Sequence, residues 1–375
     1  MKKLLFFACA LLVLGSCQPQ LNKAGLDARK FKDTVNGKQT ALYTLTNQSG
    51  MEVSITNFGG RIVSILVPDR DGNMRDVVLG FDNIKDYETV PTDFGACIGR
   101  YANRINHGMI SIDGTQYQLL TNNYGHTLHG GPTGWQYQVY DAEQTADNVL
   151  RLTIVSPDGD NGFPGEVTAE CVYTLRDDNS IEMRYSATTD APTVINMTNH
   201  SYFNLHGDGN KSILDHQLWL NAKQMTPVDS TFMTTGEIED IVPGTPFDFY
   251  TEAKPIGRDI EADNLQLRNG HGYDHNWVLL PNETTPLSLA ATLYCDQTGI
   301  GLSVYTSEPG IQVYTGNFLD GTVTGKRGEV YGLRHAVCLE TQKYPDSPNK
   351  PQWPSPVLQP EEKYTSTTIF CFICK

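Results

Sequence analysis

Polar and apolar residues alternate with a period of two along much of the chain. Met51-Glu52-Val53-Ser54-Ile55, Ser180-Ile181-Glu182-Met183-Arg184-Tyr185, Leu302-Ser303-Val304-Tyr305-Thr306 and Ile311-Gln312-Val313-Tyr314 each place one kind of side chain on one face of an extended strand. The run from Arg61 to Val67 follows roughly the same period and stops at Pro68. Asp71-Gly72, Asp113-Gly114, Asp158-Gly159 and Asp320-Gly321 are hairpin or turn dipeptides spread over the whole length. Helical spacing is scarce: residues 82–89 and 259–267 predict short helices. The turn cluster 156–165 predicts a surface excursion, and the prolines of 344–351 exclude a regular element there. Hairpin follows hairpin without a break in composition, and no phosphate loop, heptad series or solenoid repeat interrupts them. The pattern predicts an all-β chain, built as one large antiparallel β-sandwich with few short helices.

Composition sharpens this picture in three places. With 375 residues and 39% hydrophobic content the chain can bury a substantial core. Its formal net charge of -15 comes from scattered acidic residues, which excludes a nucleic-acid surface, since phosphate binding needs clustered Lys and Arg. The N-terminus reads as a targeting segment: Lys2 and Lys3, then an apolar stretch over 4–14 too short to span a bilayer, then Leu14-Gly15-Ser16-Cys17. That tetrapeptide resembles a bacterial lipoprotein box, which implies lipidation at Cys17 and display in the cell envelope, facing the periplasm or the cell surface. The expected organisation is a lipoprotein signal peptide over 1–16, a tether over 17–26 and the sandwich domain over 27–375. Of the 8 cysteines, Cys371 and Cys374 have metal-like spacing, but positions three apart on a strand face opposite ways, so they read as structural.

Six stretches carry unusual polarity. In Thr198-Asn199-His200-Ser201-Tyr202-Phe203-Asn204-Leu205, a strand would point His200, Tyr202 and Asn204 to one side, offering an imidazole, a phenol and an amide to a ligand rich in hydroxyls. A satisfied core histidine is the plainer explanation of His200 taken alone. Gly99-Arg100-Tyr101-Ala102-Asn103-Arg104-Ile105 groups two arginines and an amide, which surface ion pairing would also explain. His129 precedes Gly130 and Gly131, where backbone can approach a ligand or simply turn. Asp274 and His275 are strand neighbours, so at most one of them faces a given site. Gln312 and Tyr314 share a strand face, binding or merely solvated. Glu340 lies within the apolar run Ala336-Val337-Cys338-Leu339, and a buried carboxylate costs several kcal/mol unless partnered.

Taken together, and in this order along the chain, Gly99–Ile105, Leu128–Gly131, Thr198–Leu205, Tyr273–Asn276, Gln312–Asn317 and Leu339–Gln342 resemble the aldose 1-epimerase, or galactose mutarotase, family. The resemblance runs from roughly residue 40 onward. It implies the galactose mutarotase-like supersandwich, with the site in an open groove on one sheet. It implies Glu340 as general base and His200 as general acid, with Asn103, Arg104, His129, Tyr202, Asp274 and Gln312 binding the sugar. Arg100, His275 and Trp135 receive no direct role. Tyr101 stands where the family commonly has Val, Trp135 where it often has another aromatic, and a lipoprotein leader is foreign to its cytoplasmic members.

The residue types suit the reaction. Inverting an anomeric carbon requires loss of the C1 hydroxyl proton and gain of a proton at the ring oxygen. A carboxylate and an imidazolium on opposite sides of one C–O bond can do both, each contributing about 10²–10⁴-fold. No metal or organic cofactor is expected. The partner is a small aldose, and the membrane is met only through the lipid anchor. A non-catalytic sugar-binding lipoprotein on the same sandwich is the competing expectation. A glycosidase built on Asp274 and Glu340 would leave His200 unexplained, and a sugar-phosphate epimerase would need more cations than Arg100 and Arg104.

Overall fold

A computed structural model describes residues 21–207, 209 and 211–375. The expected signal peptide and Cys17 lie outside the described residues. Two antiparallel sheets face each other. The larger has nine strands, in spatial order Asp141–Ala146, Val149–Ser156, Val167–Leu175, Ser180–Thr189, Tyr364–Cys374, Ile300–Thr306, Ser288–Tyr294, Gln217–Leu220 and Lys254–Pro255. The smaller has six: Tyr202–Phe203, Val337–Gln342, Gly310–Tyr314, Asp274–Leu279, Ala222–Thr226 and Glu239–Asp240. A four-stranded sheet of Leu42–Thr46, Glu52–Thr56, Arg61–Pro68 and Met74–Asp76 completes the main architecture. The expected antiparallel all-β sandwich is the observed one.

The period-two pattern decides which face goes where. Ile311, Val313, Val337 and Leu339 of the smaller sheet join one continuous core with Leu150, Met183, Val304 and Phe370 of the larger. Burying each such side chain contributes about 1.5–3 kcal/mol. Phe203 meets Phe370 edge-on at 5.0 Å between centroids, and Thr341 Oγ1 lies 2.6 Å from Thr368 Oγ1, so aromatic and hydroxyl contacts both bridge the sheets. The intervening residues Gln312, Tyr314, Cys338 and Glu340 take the opposite face of the smaller sheet. They are buried too.

Local signals hold in most places and shift in a few. Asp71-Gly72 and Asp113-Gly114 turn the hairpins that follow Arg61–Pro68 and Met109–Ile112. The first short helix is Ile84–Thr89, inside its expected span. The second forms at Leu265–Gly270 rather than 259–267, because the Asn264 side chain accepts from the backbone N–H of Gln266 and Leu267 and sets the start there. The cluster 156–165 is a surface excursion only over 157–159, which are exposed; Asn161 and Phe163 are buried in it. The buried Arg100 guanidinium explains this, because it donates to the carbonyls of Ser156, Pro157, Pro164 and Gly165 and needs them close. Within 344–351, Ser347–Asn349 makes one short 3-10 turn. Residues 21–26, expected within the tether, lie against the domain: Ala24 and Leu26 are buried and Asn22 Nδ2 donates to Ser54 Oγ at 2.8 Å.

One ionisable cluster stands apart from the polar face of the smaller sheet. Asp215 Oδ1 lies 2.9 Å from both His206 Nε2 and His216 Nδ1, His206 Nδ1 lies 3.4 Å from Cys295 Sγ, and His216 Nε2 accepts from Leu205 N. The sulfur is buried and the ring nitrogens are all engaged, which suits a structural tie between chain segments. Among the described residues all six cysteines are free.

Candidate active site

A cavity of about 370 Å³ opens over the polar face of the smaller sheet. Strand register builds its floor. Tyr202 pairs with Cys338, Cys338 with Tyr314, and Tyr314 with Asp274, one rung across four strands. The next rung on the same face pairs Glu340 with Gln312. Continuing the Tyr202–Cys338 register by two residues brings His200 beside Glu340, and its Nε2 lies 3.5 Å from Glu340 Oε1. The rings of His200 and Tyr202 stack with centroids 5.0 Å apart. The diagonal neighbours Gln312 and Asp274 are joined by an Nε2–H···Oδ1 bond of 2.6 Å.

Loops supply the wall. Arg104 pairs with Leu128 across a short two-stranded ladder, so His129 arrives next to Asn103. Both have left-handed backbone, φ 67° at Asn103 and 51° at His129. Gly130 follows, and a Cβ there would lie 2.3 Å from the Gly99 carbonyl, so the turn needs glycine. Asn103 N donates to His129 Nδ1 at 3.1 Å. That bond requires an unprotonated Nδ1 and leaves the ring proton on Nε2. Arg104 donates from Nε to Asn123 Oδ1 and lies over the Phe232 ring at 5.0 Å.

The eight residues expected at the sugar site, Asn103, Arg104, His129, His200, Tyr202, Asp274, Gln312 and Glu340, all line this one cavity. His275 faces away: its Nε2 lies 3.1 Å from Gln266 Oε1 and its ring packs on Phe247. Asn204 does not join His200 and Tyr202, because its amide donates to the carbonyls of Lys211 and His335. The strand Tyr202–Phe203 ends before Asn204, which releases it from the expected alternation. Arg100 is consumed by the carbonyls of the 156–165 turns.

Electrostatics follow from burial. Desolvation raises the Glu340 carboxyl well above its usual range; nearby Asp274 and Asp93 add to this, and Arg104 opposes it. Burial likewise lowers the His200 imidazole, with Asp93 pulling the other way. Burial also raises Asp274, which Arg104 and Gln312 oppose. Burial thus favours the neutral form of each group, and the 3.5 Å between His200 Nε2 and Glu340 Oε1 puts a proton on either within reach of the other. Glu340 Oε2 and Gln312 Oε1 are buried with no hydrogen-bond partner among the described residues, so a ligand bearing several hydroxyls would complete the site.

Among the lining residues that the sequence pattern did not single out are Asp93, Tyr124 and Phe318. Asp93 sits in the turn-like Pro91-Thr92-Asp93, one position before the Phe94-Gly95-Ala96 stretch. Tyr124 and Phe318 are exposed loop aromatics at the cavity edge. An acidic residue directly preceding that stretch is the one available sequence signal for Asp93; the two aromatics carry none.

A family model described as aldose 1-epimerase matches residues 41–371. The galactose mutarotase of Rattus norvegicus is 42% identical over 322 residues, covering 86% of this chain and 91% of that protein. The aldose 1-epimerase of Escherichia coli (strain K12) is 38% identical over 343 residues, covering 91% of this chain and 97% of its own. The crystal structure of an aldose epimerase homologue from C. elegans superposes with a TM-score of 0.82 at 31% identity, covering 89% of this chain and 99% of that one.

Proposed function

The chain belongs to the aldose 1-epimerase family, and from that premise we propose the roles of its cavity residues. The protein is an enzyme that interconverts the α and β anomers of an aldose. In our reading the substrates are aldohexoses of the glucose and galactose type. Glu340 is the general base and His200 the general acid. The observation that carries the assignment is the pairing of one carboxyl and one imidazole, 3.5 Å apart, over a single cavity.

The steps follow from that geometry. A pyranose enters with its C1 hydroxyl toward Glu340 and its ring oxygen toward His200. The carboxylate takes the C1 hydroxyl proton, the C1–ring oxygen bond breaks, and the imidazolium Nε2–H protonates the departing ring oxygen. The open-chain aldehyde turns about C1–C2. Reclosure reverses both transfers: His200 takes back the C5 hydroxyl proton as that oxygen attacks C1, and Glu340 returns its proton to the new C1 hydroxyl. Each group ends in its starting state. Asn103, Arg104, His129, Tyr202, Asp274 and Gln312 hold the remaining hydroxyls, so that rotation happens at C1 alone. The low local dielectric strengthens these contacts.

Polarimetry of freshly dissolved α-D-galactose and α-D-glucose tests the reading. Catalysed approach to the equilibrium rotation supports it, whereas saturable sugar binding with no acceleration supports the non-catalytic binder instead.

We propose further that the protein is exported and anchored in the bacterial cell envelope through a lipid on Cys17. Lys2, Lys3, the apolar segment 4–14 and Leu14-Gly15-Ser16-Cys17 support this. An alkyne palmitate analogue should label the wild-type chain in cells and not Cys17→Ser.

A further inference from the structure

Asp93 is placed with more care than a turn residue needs. Arg61 is fully buried and donates from Nη1 to the carbonyls of Thr92 and Phe94, at 3.1 and 3.0 Å, on either side of Asp93. Its Nη2 donates to Gln136 O at 2.9 Å. Phe94 packs edge-on against Tyr202 at 4.7 Å, and Gly95 N donates to His200 O at 3.0 Å. The strand Ala96–Ile98 then pairs with Thr198–His200, with Ala96 opposite His200. The segment carrying Asp93 is thus fastened to the segment carrying the acid. A carboxylate oxygen of Asp93 and a ring nitrogen each of His129 and His200 lie within 4.8 Å of one another. Asp93 Oδ1 is buried with no hydrogen-bond partner among the described residues.

We propose that Asp93 is a positioning residue of the epimerase: held on both flanks by Arg61, its carboxylate keeps the catalytic proton, and with it a positive charge, on His200.

The charges around His200 make the case. Glu340 faces its Nε2, His129 meets it edge-on at 5.2 Å, and the phenols of Tyr202 and Tyr314 lie against it. His129 has its Nδ1 occupied by Asn103 N and contributes no anion. Arg61 disfavours a second cation nearby, and burial disfavours charge altogether. Asp93 is the principal opposing influence on His200, while Arg104 works on the Glu340 side, favouring the carboxylate. Asp93 also raises the proton affinity of Glu340. Either way the His200–Glu340 pair holds its proton to higher pH because Asp93 is there. Placing an anion beside the imidazole and a cation beside the carboxylate favours the ionised form of the pair, which is the form the reaction uses.

This inference rests on His200 being the acid, and the experiment separates the two. The kcat/KM for galactose mutarotation is measured against pH for wild type, Asp93→Asn, Asp93→Glu and His200→Asn, with folding checked by circular dichroism. In Asp93→Asn the alkaline limb should move to lower pH, with kcat/KM above neutral pH reduced on the order of tenfold, less than the 10²–10⁴ expected for loss of the acid. Asp93→Glu should restore much of the profile, and NMR titration of the His200 ring should move in the same direction as the kinetic limb. A folded Asp93→Asn enzyme with an unmoved limb, or one changed only in KM, overturns the proposal while a dead His200→Asn leaves the acid in place. A fully active His200→Asn would overturn the acid assignment itself.

Discussion

Glu340 and Gln312 face each other across adjacent antiparallel strands, and Gln312 in turn donates to Asp274 Oδ1 at 2.6 Å. The proposed base and a proposed sugar clamp are therefore fixed by the same backbone ladder. Their spacing is set by strand register, about 4.5–5.5 Å between Cβ atoms of directly paired residues. A site floored by strands is held more precisely than one carried by loops. Turnover and binding defects should be separable, because different positions of one ladder carry them.

His200→Ala should lower kcat by about 10²–10⁴-fold with little change in KM, since in the proposed mechanism the imidazole acts as the ring oxygen gains its proton. Steady-state coupled or polarimetric kinetics check this. A loss confined to KM would make His200 a clamp.

Arg100→Met should destabilise the protein by about 3 kcal/mol or more, because several buried carbonyls and the Ser156 hydroxyl would lose their donor. Urea unfolding measures it. A change within about 0.5 kcal/mol would mean that the 156–165 turns do not depend on the guanidinium.

His275 gives a pH signature in stability. It is fully buried, and burial takes its imidazole down to about 3. The unfolded chain binds that proton below about 6.5, so the stability from a neutral His275 is complete above that pH and is lost as pH falls toward 3. Relative to His275→Gln, the wild type should lose up to about 1.4 kcal/mol per pH unit between pH 6 and 4. Parallel stability curves for the two proteins would show that the ring is not held neutral.

Much of this was legible in the chain because alternation is a local signal. Ile311-Gln312-Val313-Tyr314 states directly which two side chains turn from the core. The motif order then tied His200 and Glu340 to one chemistry. What escaped needed distant partners. The 156–165 turns look like solvent-facing loop until the Arg100 guanidinium is placed among them. Asn204 follows the strand period in sequence, but the strand ends at Phe203 and the Lys211 and His335 carbonyls take its amide. Asp93 sits in a turn, and its meaning comes from Arg61 and His200, both remote along the chain. Tyr124 and Phe318 matter through exposure at the cavity edge, which no periodicity encodes.

The most direct test is polarimetry of fresh α-D-galactose with folded wild type and folded Glu340→Gln at matched concentration. The account predicts rapid relaxation with wild type and, with the amide, a rate lower by about 10²–10⁴-fold and close to the uncatalysed one. Relaxation by Glu340→Gln at near wild-type speed would contradict it, because an amide cannot take the C1 hydroxyl proton.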